Sequence, residues 1–232
     1  MIGAGPQLAH IPDDQLRRLE QLPTIGVNKT FYQLKLTYFL SAYIGEVILA
    51  AHRIPTSTLL HMRPVYEPPL IDGILPLRRE LFDASTGLTT TLLPPEPTLF
   101  TKRNVALGAT HLAYVMGAKR VVYIGVEQRN QVHFWHHMPA VKATIRQDVE
   151  LLRDVPFLTI DHPYATYELQ VDQMERPMST FMKPFYEESH AESFREYFSI
   201  LNEAGVEFVT TVKDSVVSDA GASYMELSEL LA

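Results

Sequence analysis

Apolar residues at Val105, Ala109, Leu112, Ala113 and Met116 recur at steps of three and four, the repeat that gathers side chains on one face of a helix. Gly117 follows at the place where a left-handed residue stops a helix, a conformation that glycine takes without a Cβ clash. The next pattern has no period. Val121, Val122, Tyr123 and Ile124 form a short continuous apolar run rich in β-branched residues, which suits a strand covered on both faces of a parallel sheet. The pattern predicts helix, stop and buried strand, with residues 125–128 at the strand's carboxyl end. Open α/β sheets keep their ligands along that edge.

Comparable patterns extend in both directions. Leu16, Leu19 and Leu22 share a helical face, and Asp13 and Asp14 fall in the first turn, where acidic groups suit the helix dipole. Residues 24–28 read as a short strand ending in Asn28. Residues 36–51 are mostly apolar and compatible with either type; they are assigned as a strand over 37–43 and a helix over 46–52. Residues 141–153 read as a helix, 155–160 as a strand, 206–212 as the last strand and 223–231 as a terminal helix. Ser189 and Glu192 have the spacing of a capping box, so a helix is predicted to start there, with Phe194, Tyr197, Phe198 and Leu201 as its apolar stripe and Gly205 as its stop. His190 then sits in the first turn, where the partial positive end of the helix favours the neutral, basic imidazole. On these residues alone, an exposed histidine without a role fits equally well.

Composition changes the picture for residues 52–100, which hold eight of the 16 prolines, from Pro55 and Pro64 to Pro95 and Pro97. Proline removes a donor and fixes φ, so this stretch is predicted as an irregular insertion over the sheet, placed to act as a lid, with only residues 75–82 helical. The predicted fold class is α/β: a single Rossmann-like domain over residues 1–232, with a mostly parallel sheet flanked by helices. At 232 residues and 46% hydrophobic content the chain can bury a full core. No apolar run approaches the roughly 18 to 20 residues that cross a bilayer, and no signal-peptide pattern is visible at the start, so the expected location is cytoplasmic. The absence of cysteine excludes disulfides and thiolate metal sites. A net charge of -7 argues against broad binding to nucleic acid or anionic lipid.

Four stretches carry candidate chemistry. Gly3, Gly5 and Pro6 make a tight turn in which glycine lets the backbone approach a ligand closely, although an ordinary loop has the same composition. Asn28 at a strand end can read a base or sugar with its amide, or simply cap the next turn. His133, His136 and His137 surround the single tryptophan, Trp135. No carboxylate follows them at a ligand-like interval, so a packing or substrate-facing aromatic role is favoured over a metal. Tyr164, Tyr167 and Tyr186 are polar aromatics in an irregular stretch.

In order along the chain come G-x-G-P-x-L at residues 3–8, G-V-N-K-T-F at 26–31, the run from Ala113 to the acidic Glu127, and a histidine, His190, on a helix that exits at Gly205 and Val206. Together these motifs resemble the sialyltransferase-like nucleotide-sugar fold of Campylobacter-type bacterial sialyltransferases and the related pterin diphosphokinase-like proteins. The resemblance implies a glycosyltransferase with a nucleotide-sugar as donor co-substrate, no further cofactor and no metal, in keeping with the lack of a D-x-D motif. It implies Gly3, Gly5 and Pro6 at the phosphate, Asn28, Asn104 and Glu127 around the nucleotide or donor sugar, and His190 as general base. Tyr164, Tyr167 and Tyr186 would bond to the departing phosphate. The acceptor would be an unidentified glycan or small molecule, and a homo-oligomer is compatible with the reading. Two alternatives stay open: a Mg²⁺-dependent diphosphokinase using carboxylates such as Glu46, Glu127 or Asp161, and a non-catalytic binding or scaffold member of the fold.

Overall fold

The structure, a computed structural model, describes residues 1–63, 74–81, 98–101, 104–129, 132–152 and 183–232. Strands β1 (Ile25–Val27), β2 (Tyr38–Ser41), β3 (Thr58–Arg63), β4 (Ile74–Leu81) and β5 (Thr98–Thr101) pair in that order as a five-stranded parallel sheet. Strands β6 (Arg120–Tyr123), β7 (Glu207–Thr210) and β8 (Ser223–Tyr224) form a three-stranded parallel sheet. Ile2 joins the two edges. It bridges Gly26 on one side and Ile124 on the other, both in parallel. The Ile2 N–H donates to the Ile25 carbonyl (2.8 Å) and the Gly3 N–H to the Ile124 carbonyl (2.8 Å). From Ile2 the chain therefore builds outward through β1 to β5 on one side, and later through β6 to β8 on the other.

Helices cover both faces, which is what the unbroken apolar runs demand. On one face α3 (Val105–Val115) lays Ala109 and Leu112 over Ile25, Val27, Leu40 and Leu60. Beside it, α5 (Lys183–Glu203) brings Phe194, Tyr197, Phe198 and Leu201 onto Val121, Tyr123 and Phe208, with Val216 and Val217 of α6 (Val216–Asp219) in the same core. The opposite face buries Ile2, Leu8, Phe39 and Ile124 against Leu16 and Leu19 of α1 (Asp13–Leu19), Val47 and Leu49 of α2 (Ile44–Arg53), Ile145 and Val149 of α4 (Pro139–Glu150), and Leu227 of α7 (Leu227–Leu230). Ile124 and Tyr123 thus point to opposite cores, as neighbours on a pleated strand must. No helix among the described residues is long and apolar enough to cross a membrane.

Three expectations are corrected. Residues 75–82 are not helical: Ile74–Leu81 is a strand, with Pro76 opposite His61 of β3. Among the described residues, β5 pairs with β4 from Arg78 onward. The proline-rich stretch carries β3, β4 and most of β5 rather than being irregular throughout, and most of its prolines punctuate the sequence between those strands. Second, α5 begins at Lys183, not at Ser189. Pro184 fits a first turn, whose N–H groups have no partner within the helix, while Ser193 Oγ donates back to the Ser189 carbonyl (2.9 Å) as it does inside a helix. His190 is therefore two turns in, away from the helix dipole. Third, residues 223–231 are not one helix, because Ser223–Tyr224 adds to the sheet beside β7 and only Leu227–Leu230 coils. The strand expected over 155–160 lies outside the described residues.

Candidate functional site

In a parallel α/β sheet, ligand crevices form outside the carboxyl ends of the strands where the winding reverses. That place is the rim beside Ile2, between the loops that follow Ile2, β1 and β6. Backbone strain gathers there. Asn28 (φ 57) and Gln128 (φ 53) are the non-glycine residues with positive φ among those described, one after β1 and one after β6. Such conformations are costly for residues with a Cβ and persist where the surroundings impose them.

The glycine turn closes onto the loop after β6. Gly5 N–H donates to the Gly125 carbonyl (2.8 Å), and Pro6 opens the 3₁₀ turn Pro6–His10. A Cβ on Gly3 would lie 2.4 Å from the Gly125 oxygen, and one on Gly5 would lie 1.5 Å from Glu127 Oε2. Glu127 Oε1 accepts from the Gln7 N–H (2.8 Å), while Oε2 is buried without a hydrogen-bond partner. Burial pushes the Glu127 carboxyl above its ordinary range, only partly opposed by the Gln7 amide. The Gln7 side chain locks three segments together. Its oxygen accepts from Gly125 N–H (2.9 Å) and Thr211 Oγ1 (2.8 Å), and its Nε2 donates to the Thr211 carbonyl (2.9 Å).

Next to Glu127, Gln128 and Asn104 exchange hydrogen bonds through their amides: Asn104 Nδ2 to Gln128 Oε1 at 3.0 Å and Gln128 Nε2 to Asn104 Oδ1 at 3.3 Å. Asn104 is also the N-cap of α3, with Oδ1 accepting from the Ala106 N–H (2.9 Å). His190 reaches this pair from α5, with Nδ1 3.3 Å from Asn104 Nδ2. Its pKa is lowered by burial, so the ring is neutral near pH 7. The cause of that lowering is desolvation, not the helix dipole expected from the sequence.

His190, Asn104, Glu127, Gly3 and Gly5 are therefore linked through two adjoining hydrogen-bonded clusters. Asn28 stands on the same rim but across Ile2 from them. Tyr186 falls within α5, whereas Tyr164, Tyr167 and Asp161 lie outside the described residues. Of the histidines around Trp135, two pack and His137 is exposed: His133 stacks on the Trp135 ring (centroids 4.3 Å apart), His136 Nδ1 accepts from the His133 N–H (2.9 Å), and Trp135 is 1% exposed. Among the described residues no group of three or more His, Asp or Glu is arranged to hold a metal ion. Sequence reasoning missed Gln7, Gln128 and Thr211, whose partners are too far along the chain for any local pattern. It also missed Lys29, buried after Asn28 and paired with Glu46 (2.9 Å). Comparison with protein-family models, with curated proteins and with solved structures gave no match.

Proposed function

We propose that this chain is a nucleotide-sugar-dependent glycosyltransferase of the sialyltransferase-like kind, one Rossmann-like domain working in the cytoplasm, with the loop rim beside Ile2 as its donor site. The observation that carries the reading is His190: an imidazole within hydrogen-bond distance of Asn104 at the sheet's switch in winding, in a cluster that adjoins the one holding the glycine turn. In the reaction His190 takes the proton of an acceptor hydroxyl as its oxygen attacks the anomeric carbon. The bond from that carbon to the phosphate oxygen breaks, and its electron pair leaves with the nucleotide. A well-placed general base is worth about 10²- to 10⁴-fold in rate.

The magnesium-dependent diphosphokinase has less support. Glu46 is committed to Lys29 (2.9 Å) and Ser41 (2.6 Å), and one oxygen of Glu127 already accepts from the Gln7 N–H (2.8 Å). Thermal unfolding with CMP, UDP, GDP and ATP, each with and without Mg²⁺, tests the choice, because a ligand of the native state raises Tm. We expect a metal-independent rise with one nucleotide, and His190→Ala to lower turnover of the matching sugar donor by about 10²- to 10⁴-fold. A rise with ATP only when Mg²⁺ is present would replace this reading with the kinase one. No rise with any nucleotide would leave a scaffold.

A further inference from the structure

We propose that Asn104 is a positioning residue: it holds His190 as the tautomer protonated on Nε2, so that Nδ1 is the atom that takes the proton. The assignment follows from counting donors. The Ala106 backbone N–H can only donate, and it points at one end of the Asn104 amide (2.9 Å), which must be the oxygen. The other end is then the NH₂ group. Its two protons have two neighbours, Gln128 Oε1 at 3.0 Å and His190 Nδ1 at 3.3 Å. An amide nitrogen accepts nothing, so His190 Nδ1 must be the acceptor, and the proton of the neutral ring resides on Nε2.

Rotating the Asn104 amide by half a turn would set donor against donor at the N-cap and break both contacts with Gln128. Gln128 in turn is held on the rim in a left-handed conformation (φ 53). Asn104 thus ties the tautomer to a backbone N–H two hydrogen bonds removed from the ring. The consequence for chemistry rests on His190 being the base. An acceptor hydroxyl must reach Nδ1 from the side that Asn104 now covers, replacing a 3.3 Å contact that is longer than an ordinary N–H hydrogen bond. Contacts that catalysis remakes are often long without substrate. The hydroxyl O–H bond breaks and its proton joins Nδ1, giving an imidazolium protonated on both nitrogens. The oxygen's electron pair forms the bond to the anomeric carbon as the nucleotide phosphate leaves.

Long-range ¹H–¹⁵N correlation spectra of the full ¹⁵N-labelled chain, without ligand and above the ring's titration, read the tautomer directly, with His190→Ala to assign the signals. The expected wild-type pattern has the proton on Nε2. Asn104→Ser keeps an N-cap oxygen but has no amide donor, and it should raise the share of the Nδ1–H tautomer above that of the wild type. Asn104→Asp should reverse the preference to Nδ1–H and raise the ring's pKa by about one to three units. A proton on Nδ1 in the wild type, or an unchanged pattern in Asn104→Ser, overturns the proposal, and Asn104→Ser alone decides if the aspartate variant does not fold. Should the spectra agree while His190→Ala keeps full turnover, the base reading fails and the positioning role stands. Should the wild type show Nδ1–H while His190→Ala abolishes turnover, the reverse holds.

Discussion

At the level of single residues, the glycine turn is explained first by its own neighbours. Gly5 has φ -70, an ordinary value, so no backbone strain calls for glycine there. What excludes a side chain is space: a Cβ would meet Glu127 Oε2 at 1.5 Å and the Gly125 carbonyl oxygen at 2.8 Å. The carboxylate sits at the end of a flexible side chain, whereas the carbonyl is backbone and cannot retreat. Gly5→Ala is therefore expected to lower stability by about 1–3 kcal/mol, the usual cost of overpacking. Adding Glu127→Ala should restore part of that loss, though not all, because the carbonyl remains. Urea unfolding of the two single variants and the double variant measures this. If the effects of the two substitutions simply add, the carboxylate is not what excludes the Cβ.

At the level of elements, the 3₁₀ turn Asn28–Tyr32 is tied to α2 by an ion pair that no pattern announces. Lys29 and Glu46 side chains are 3% and 2% exposed and 2.9 Å apart, and Ser41 Oγ donates to the other Glu46 oxygen (2.6 Å). The Lys29 ammonium also sits over the Trp135 ring, 5.4 Å from its centroid. Removing one partner leaves an uncompensated buried charge, which costs about 3–5 kcal/mol, while replacing both with neutral groups costs far less. Lys29→Met is expected to show the large loss, and Lys29→Met/Glu46→Gln to recover most of it. A double variant no more stable than Lys29→Met would mean that packing, not charge, dominates. Elements with long periodic or continuous apolar patterns were legible: α3 with its Gly117 stop (φ 89), β6, and the Asp13–Asp14 start of α1. Those that failed had ambiguous local signals. Ser189 and Glu192 mimic a helix start in mid-helix, Pro76 hides a strand, and β8 is only two residues, Ser223–Tyr224, fixed by pairing with Val209 and Thr210.

At the level of the whole molecule, the order in which strands leave Ile2 decides which loops meet, and this is why the site was only half legible. His190 and Asn104 are 86 residues apart, and Gln7 and Thr211 are 204 apart. A helix pattern marked His190 and the resemblance pointed to Asn104 and Glu127, but only the sheet order brings in Gln7, Gln128 and Thr211 beside them.

Covering both faces of a parallel sheet also traps imidazoles inside, and this sets how the molecule responds to acid. Burial lowers the His111 pKa to about 4. Burial, with the charges of Lys29 and His136, lowers that of His133 to about 3. In the unfolded chain each returns to about 6.5. Between those values the unfolded state binds the proton that the native state refuses, so stability falls as pH falls, beginning near 6.5. The full effect for His111, complete only near pH 4, is on the order of 3 kcal/mol, since one pKa unit is worth about 1.4 kcal/mol. Carboxylates paired in the native state add to acid sensitivity, but chiefly at lower pH. The double variant His111→Phe/His133→Phe keeps two rings and removes both titrations. Whatever its stability at pH 7.5, its urea midpoint should fall less steeply than that of the wild type between pH 7 and 5. Parallel curves over that interval would place the acid-sensitive groups elsewhere in the fold.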